Sequence, residues 1–401
     1  MRIRSITCFF HPDRISDYTL ENLAAKAEKL SGQFKQAGWE VQSKRMATVP
    51  FGHYTTRKNA VDVIMNLEKK TARLGFDYLS IGPARLMHQE DFALIPEILS
   101  ATENVFATGR MTHPHNGVSM QAVSDCAKII TKLAPVTPDG FTNLRFCAIS
   151  AVNPFTPFFP AAYSYGNNPA FSLAIECADA AVNAFSSAKT IADGKAQLLN
   201  ELNSAAEVLQ DLVCSANLQW EMPFKGFDFS LAPFPEDWCS LAGAIEQLGV
   251  ARIGMIGSLS AAAILADTLD RGNWRHVGFN GLMLPVLEDS ILAQRSVEGT
   301  FSVKDLLMYS AVCGTGLDTV PLPGDTSADA IAALLMDVAS LSLRLNKPLT
   351  ARLMPVPGLK AGEMTDYDFA FFKNGKLLDF PAEKLGKVFS KSQWIEIASR
   401  F

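Results

Sequence analysis

The densest run of chemically useful side chains lies between Cys313 and Thr326 (CGTGLDTVPLPGDT). A helical stretch ends at the two glycines, a short strand follows, and Pro323-Gly324-Asp325-Thr326 opens the next helix. Asp325 or Thr326 reads as the cap of that helix, because a short oxygen-bearing side chain satisfies the free N–H groups of a first turn. Asp325 reads equally as a ligand contact. Parallel sheets bind ligands at the carboxyl ends of their strands, and a helix start preceded by glycine suits an anion. Cys313 stands at a helix C-terminus, where the dipole disfavours a thiolate, so it reads as a pocket-wall thiol rather than a fast nucleophile. With Asp318 these residues are the catalytic candidates, and Gly314, Gly316 and Gly324 would shape the pocket around them.

Three further clusters follow strands. In Asn280–Ser290 (NGLMLPVLEDS) the carboxylates of Glu288 and Asp289 come directly after a strand. They suit a divalent metal or acid–base work, and they suit a helix start just as well. Asn280 is a pocket candidate beside them. His113-Pro114-His115 has two imidazoles in alternation but no third ligand near it, and reads as a polar loop. His53 in Phe51–Arg57 is a candidate base with Arg57 as an anion clamp, against a solvated loop as the plainer account. Asn153-Pro154-Phe155 with Tyr163 forms an uncharged aromatic loop suited to a pocket wall.

Those clusters sit in a chain of 401 residues with a formal net charge of −5, 48% apolar and 19% charged residues. Such a composition is less charged than an ordinary soluble domain at roughly 25% and excludes a disordered chain. No Lys/Arg cluster tracks a phosphate backbone, so nucleic acid is not expected as a partner. The opening MRIRSITCFF is too short in apolar residues for a signal peptide. The long uncharged stretch between Arg145 and Glu176 is broken by Pro154, Pro157, Pro160 and Pro169 and reads as buried loop and strand, not as a membrane span. Seven widely spaced cysteines without a CxxC point to reduced thiols in a cytoplasmic protein. A homo-oligomer is left open. GxGxxG after the first strand, GxxxxGK[ST], HExxH and GxSxG are all missing, which sets aside the ordinary nucleotide, zincin and serine-hydrolase readings.

Periodicity supplies the frame. Strands are expected at Met1–Phe10, Trp39–Val49, Tyr78–Gly82, Val105–Thr112, Leu144–Ala151, Gly226–Ala232, Arg252–Ile256, Phe279–Val286, Asp318–Leu322 and Leu349–Pro355. Helical spacing covers Leu20–Ala37, Lys58–Leu74, Phe92–Ser100, Val118–Leu133, Ala188–Leu212, Ser240–Leu248, Ala261–Leu269, Val303–Val312 and Ala328–Leu345. Residues 368–380 read as a hairpin around Asn374-Gly375. This alternation argues an α/β fold with a largely parallel sheet, in one unit over residues 1–401.

At Met1–Thr7, Gly117–Met120, Asn153–Phe155, Ser230–Pro233, Gly281–Asp289 and Cys313–Thr326 the sequence resembles the family called domain of unknown function 711. That resemblance implies a closed ten-stranded α/β barrel of the pyruvate formate-lyase-like type. Glycyl-radical chemistry is not expected with it, since Met354–Lys360 lacks the arginine and tyrosine of the radical motif and no Cys-Cys pair stands near mid-chain. The family's glycine-rich stretch is replaced here by Ser172–Asp179, with Glu176 and Asp179 able to alter the ligand. The resulting expectation is a polar small-metabolite pocket at the barrel mouth, serving an enzyme. The alternative is a non-catalytic metabolite-binding or regulatory protein.

Overall fold

The computed structural model describes residues 1–216 and 222–400. Its strands are β1 (Arg2–Phe10), β2 (Lys44–Thr48), β3 (Tyr78–Ala84), β4 (Val105–Arg110), β5 (Thr112–His113), β6 (Gly117–Ser119), β7 (Phe146–Ser150), β8 (Ala170–Glu176), β9 (Phe224–Ser230), β10 (Gly316–Pro323), β11 (Leu349–Val356) and β12 (Trp394–Ile395). Its helices are α1 (Asp17–Gln36), α2 (Ala60–Arg73), α3 (Gln89–Ser100), α4 (Met120–Leu133), α5 (Ala178–Ser187), α6 (Ile191–Ser215), α7 (Leu241–Gln247), α8 (Ser258–Asp270), α9 (Ser290–Glu298), α10 (Val303–Tyr309) and α11 (Ala328–Leu345). None of the described helices is long and apolar enough to cross a membrane.

Nine strands pair in one mixed sheet, in the order β10-β11-β7-β4-β3-β2-β1-β8-β9, and β12, β6 and β5 form a small second sheet. β1, β2, β3, β4 and β7 run in one direction. β8 joins β1 antiparallel and β11 joins β7 antiparallel, so both flanks run the other way. The helices pack apolar stripes onto the sheet. On α1 these are Leu20, Leu23, Ala24, Ala27, Leu30 and Phe34, spaced three and four apart on one buried face.

The structure corrects the expected closed ten-stranded barrel. Regular pairing stops at β9 on one side and β10 on the other. The stretch expected to be a strand over Phe279–Val286 reaches both edges by isolated bridges alone, Leu231 with Leu282 and Pro285 with Asp318. The cause is local. Gly278 and Asn280 hold φ of 77° and 44°, outside the extended range, and Pro285 has no N–H to donate to a ladder. Arg252–Ile256 likewise forms turns around Gly254 instead of a strand. The hairpin expected at 368–380 is one antiparallel bridge between Met364 and Lys376, and Asn374 turns its side chain inward to accept from Thr365 Oγ1 and the Tyr367 amide. The cap of α11 is Ser327, which accepts from the Ala330 amide at 3.1 Å, and not Asp325 or Thr326.

Two buried irregular segments complete the interior. The loop between β7 and β8 runs against the sheet's inner face. Thr7 Oγ1 donates to Pro157 O (2.9 Å), Ser80 Oγ to Ala162 O (2.6 Å) and Ser172 Oγ to Phe155 O (3.0 Å), while Tyr163 Oη donates to Val152 O (2.8 Å). Inward hydroxyls on three strands thus satisfy carbonyls that no ladder reaches. The second segment, residues 276–286, is pinned by fully buried Asp228 on β9. Its carboxylate accepts from the amides of Phe279 (2.7 Å) and Asn280 (2.8 Å) and from Ser230 Oγ (2.6 Å).

Burial pushes the Asp228 carboxyl up to about 6, against the pull of those three donors. Between about pH 4 and the folded value, the folded protein holds a proton that the unfolded chain has released. Its contribution to stability is therefore complete below about pH 4 and lost as the pH rises through 6. Urea unfolding from pH 4 to 7 should show wild-type stability falling by about 1–3 kcal/mol relative to Asp228→Asn across that window. Parallel pH profiles for the two proteins would refute the account.

Candidate functional site

An interior cavity of about 260 Å³ opens where β1 to β4 and β7 begin. Each of these strands contributes an inward residue near its start: Arg4, Arg45, Tyr78, Phe106 and Cys147. The opposite wall holds Asp318 on β10, Arg352 on β11, Met283 and Pro285 from the irregular segment, and Glu288 just past its end. Phe158 and Phe159 of the buried loop, Phe279, and Phe369 and Phe371 from the C-terminal region close it with aromatic surface.

Charges in this interior are arranged in a chain. Arg352 contacts Glu288 at 2.6 Å and Asp318 through Nε. Glu288 also reaches Arg4 (3.5 Å), and Arg4 reaches Glu176 (3.5 Å), which Arg2 approaches at 3.8 Å. Burial opposes the charge on Arg352, but Asp318 and Glu288 outweigh it and hold its pKa above the ordinary value. Burial pushes Glu176 up, against the pull of Arg4 and Arg2. Separating any of these partners would leave an uncompensated charge in a low-dielectric interior.

Arg45 stands apart. It is 7% exposed. Its Nε donates to Ser43 Oγ at 2.8 Å, and its guanidinium lies 5.1 Å from the Phe159 ring centroid and 5.6 Å from that of Tyr78. Among the described residues no carboxylate comes within 4.0 Å of it, and its two Nη groups have no hydrogen-bond partner. Burial lowers its pKa to about 9, and neighbouring Arg4 adds to the effect, against the weaker opposing pull of Tyr78, Asp77 and Glu288.

Of the residues singled out from sequence, Glu288 and Asp318 line this cavity together. Asp289 does not accompany Glu288. It is fully buried as the cap of α9, accepting from Leu292 N (3.0 Å), Ala242 N (3.0 Å) and Ser240 Oγ (2.5 Å), and burial raises its pKa. Among the described residues no group of three His, Cys, Asp or Glu could hold a metal ion. Cys313 is buried in the main core outside the cavity lining, with Sγ 4.0 Å from Thr315 Oγ1. Asn280 is spent on structure: Oδ1 accepts from Phe229 N (3.0 Å) and Trp274 Nε1 (2.9 Å). Gly314 crosses Gly281 so closely that a Cβ on Gly281 would sit 2.8 Å from the Gly314 amide nitrogen, while Gly316 and Gly324 lie against the carbonyls of Thr350 and Val356. His53, Arg57, Asn153 and Asp325 are exposed, and the first three follow the carboxyl ends of β2 and β7, away from the strand starts that line the cavity.

The arginines were missed as site residues. Arg4 lies in an alternating strand and reads as its solvent face. Arg352 is the single charge in LTARLMPV, and Arg45 follows Lys44 in KRMAT, where the rest of the strand is uncharged. A lone arginine inside a buried strand is the signal that was available, because such a group is almost never fully buried without a partner.

The pattern of the family described as Uncharacterised ACR (DUF711) matches residues 1–372. A UPF0210 protein of Pyrobaculum arsenaticum is 29% identical over 382 residues, covering 87% of this chain and 82% of its own. One from Clostridium botulinum is 27% identical over 368 residues, covering 86% and 80%. One from Syntrophobacter fumaroxidans is 28% identical over 389 residues, covering 86% and 83%. These matches do not extend to the pyruvate formate-lyase grouping.

Thiol placement gives a direct test. Burial pushes Cys147 well up, with Arg352 pulling only weakly the other way, and Cys313 is 2% exposed. Cys214, at the end of α6, is exposed. Iodoacetamide at neutral pH followed by peptide mass mapping should modify Cys214 first and leave Cys147 and Cys313 intact in the folded protein. Early labelling of Cys313 would return it to the list of reactive groups.

Proposed function

The chain belongs to the DUF711 family, and we propose that it binds a small anionic metabolite in the interior cavity, anchored on Arg45. The observation that carries this reading is the unpaired guanidinium. A buried charge without a counter-ion costs several kcal/mol. It persists where something outside the chain neutralises it, and strain of this kind gathers at binding sites. The cavity is slightly smaller than the roughly 300–1,000 Å³ of sites for drug-sized ligands, which suits a small metabolite. Free, mostly buried cysteines support a reducing, cytoplasmic setting.

Catalysis is the second reading, and Glu288 and Asp318 on the cavity wall favour it. Either carboxylate would exchange a proton with a bound ligand only by loosening its pairing with Arg352. Acid–base chemistry is then the class, since the two candidate thiols are buried and one lies outside the cavity. Binding stands first because every cavity carboxylate in the chain of charges is already matched by an arginine.

Removing the arginine separates stability from binding. Arg45→Met should leave the unliganded protein as stable as wild type within about 1 kcal/mol, or more stable, because it deletes an uncompensated charge. Thermal shifts produced by metabolite anions in wild type should vanish in the variant, and a small anion released from denatured wild-type protein in mass spectrometry should be missing from it. A loss of about 3–5 kcal/mol, the cost of breaking a paired buried arginine, together with an unchanged anion response, would show that Arg45 is a structural ion and sink the proposal.

A further inference from the structure

Resting on the reading above, we infer the chemical class of the ligand: a monocarboxylate with an uncharged, apolar body, its carboxylate held by Arg45. Charge balance comes first. Arg2, Arg4 and Arg352 face Glu176, Glu288 and Asp318 in one connected chain, three cations against three interior anions, with exposed Glu40 also reaching Arg2 at 3.6 Å from the surface. Arg145, the remaining cavity arginine, donates to the carbonyls of Leu99 (2.7 Å) and Val105 (3.3 Å) and to Thr102 Oγ1 (3.4 Å), and its charge is favoured by nearby Glu68 and by Glu103 on the cavity wall. Among the cavity arginines Arg45 alone has neither Nη group in a hydrogen bond. A second negative charge on the ligand would meet the carboxylates of Glu288 and Asp318 with no cation free to receive it.

Geometry comes second. Ser43 Oγ accepts from Arg45 Nε and itself donates to Arg4 O at 2.8 Å, which fixes the guanidinium from one edge. The edge left free carries the two Nη groups. Parallel N–H donors on a rigid fork match the two oxygens of a planar carboxylate. The same cavity is lined by Phe106, Phe158, Phe159, Phe279 and Met283. These offer no charge and little hydrogen bonding, so the remainder of the ligand gains by being apolar. A sugar phosphate or a dicarboxylate fits neither the charge nor the wall.

Titration calorimetry at about pH 7.5 tests the class with defined probes: phenylacetate and 4-methylpentanoate as apolar monocarboxylates, glutarate as a dicarboxylate, phenyl phosphate as a dianion, and phenylacetamide as a neutral control. The monocarboxylates should bind at least about tenfold tighter than the other three, a preference of the size expected for one good charged contact. R45M should weaken phenylacetate by about 30-fold or more. R45K keeps the charge but loses the fork, and should weaken it about tenfold; it also serves if R45M fails to fold. Glutarate or phenyl phosphate binding as tightly as phenylacetate would overturn the monocarboxylate class and leave an anion site standing. If no anion binds at all, the anion-binding reading itself falls. Equal affinity of R45K and wild type for phenylacetate would remove Arg45 as the anchor.

Discussion

A stretch of irregular backbone runs against the inner face of the sheet, and much of the rest of the molecule is arranged to make that tolerable. Loops normally stay at the surface because buried peptide groups without partners cost free energy. The loop between β7 and β8 is held inside by hydroxyls of Thr7, Ser80 and Ser172, which project inward from β1, β3 and β8. The inner face of the sheet therefore has to carry small polar residues where an ordinary sheet would carry valine or leucine. Once the loop is seated, its phenylalanines occupy the middle of the interior. The cavity lies beside them, where β1 to β4 and β7 begin.

The ion pairs follow from the same layout. Arginines at the starts of β1 and β2 and within β11 project into the interior cavity, and each must be matched or left strained. Matching joins distant pieces of chain. Glu288 ties β1 to β11 through Arg4 and Arg352, and Asp318 brings β10 into the same cluster. The irregular segment that bridges the two edges of the sheet is thus fixed at one end by Asp228 and at the other by arginines. Arg45 is the one member of this group whose counter-charge the described chain does not provide.

Much of the frame was legible in the sequence, because periodicity records burial directly. Helix α11 follows the spacing of Ala328–Leu345, and β1, β3, β4, β10 and β11 fall within a few residues of their expected places. The failures have physical causes. Phe279–Val286 is apolar enough to pass for a buried strand, yet the backbone of Gly278 and Asn280 and the missing N–H of Pro285 deny it a ladder, and with it the closed barrel. The family motifs at Gly281 and Gly314–Gly324 drew attention as pocket residues, whereas their glycines mark places where two backbones touch. The cavity arginines stayed invisible because a charge in a strand looks like a solvent-facing one until the sheet's curvature is known. Glu288 drew attention because it follows a stretch that only reads as a strand, and Asp318 because it lies at the start of β10; both line the cavity.

Trp274 gives this architecture an optical handle. Its indole N–H donates to Asn280 Oδ1 at 2.9 Å, its ring lies 4.6 Å from that of Phe229, and His276 stacks on it at 4.9 Å with the planes 10° apart. The chromophore is therefore fastened to the bridging segment and to β9, and it takes no part in the cavity wall. Its emission responds to whether that segment is docked, while a ligand among the phenylalanines leaves it dark to their contact. With the other four tryptophans replaced, Trp274 emission and ligand occupancy would be two separate channels, and a change in both at once would mean that the seam between the sheet's edges moves when the cavity fills.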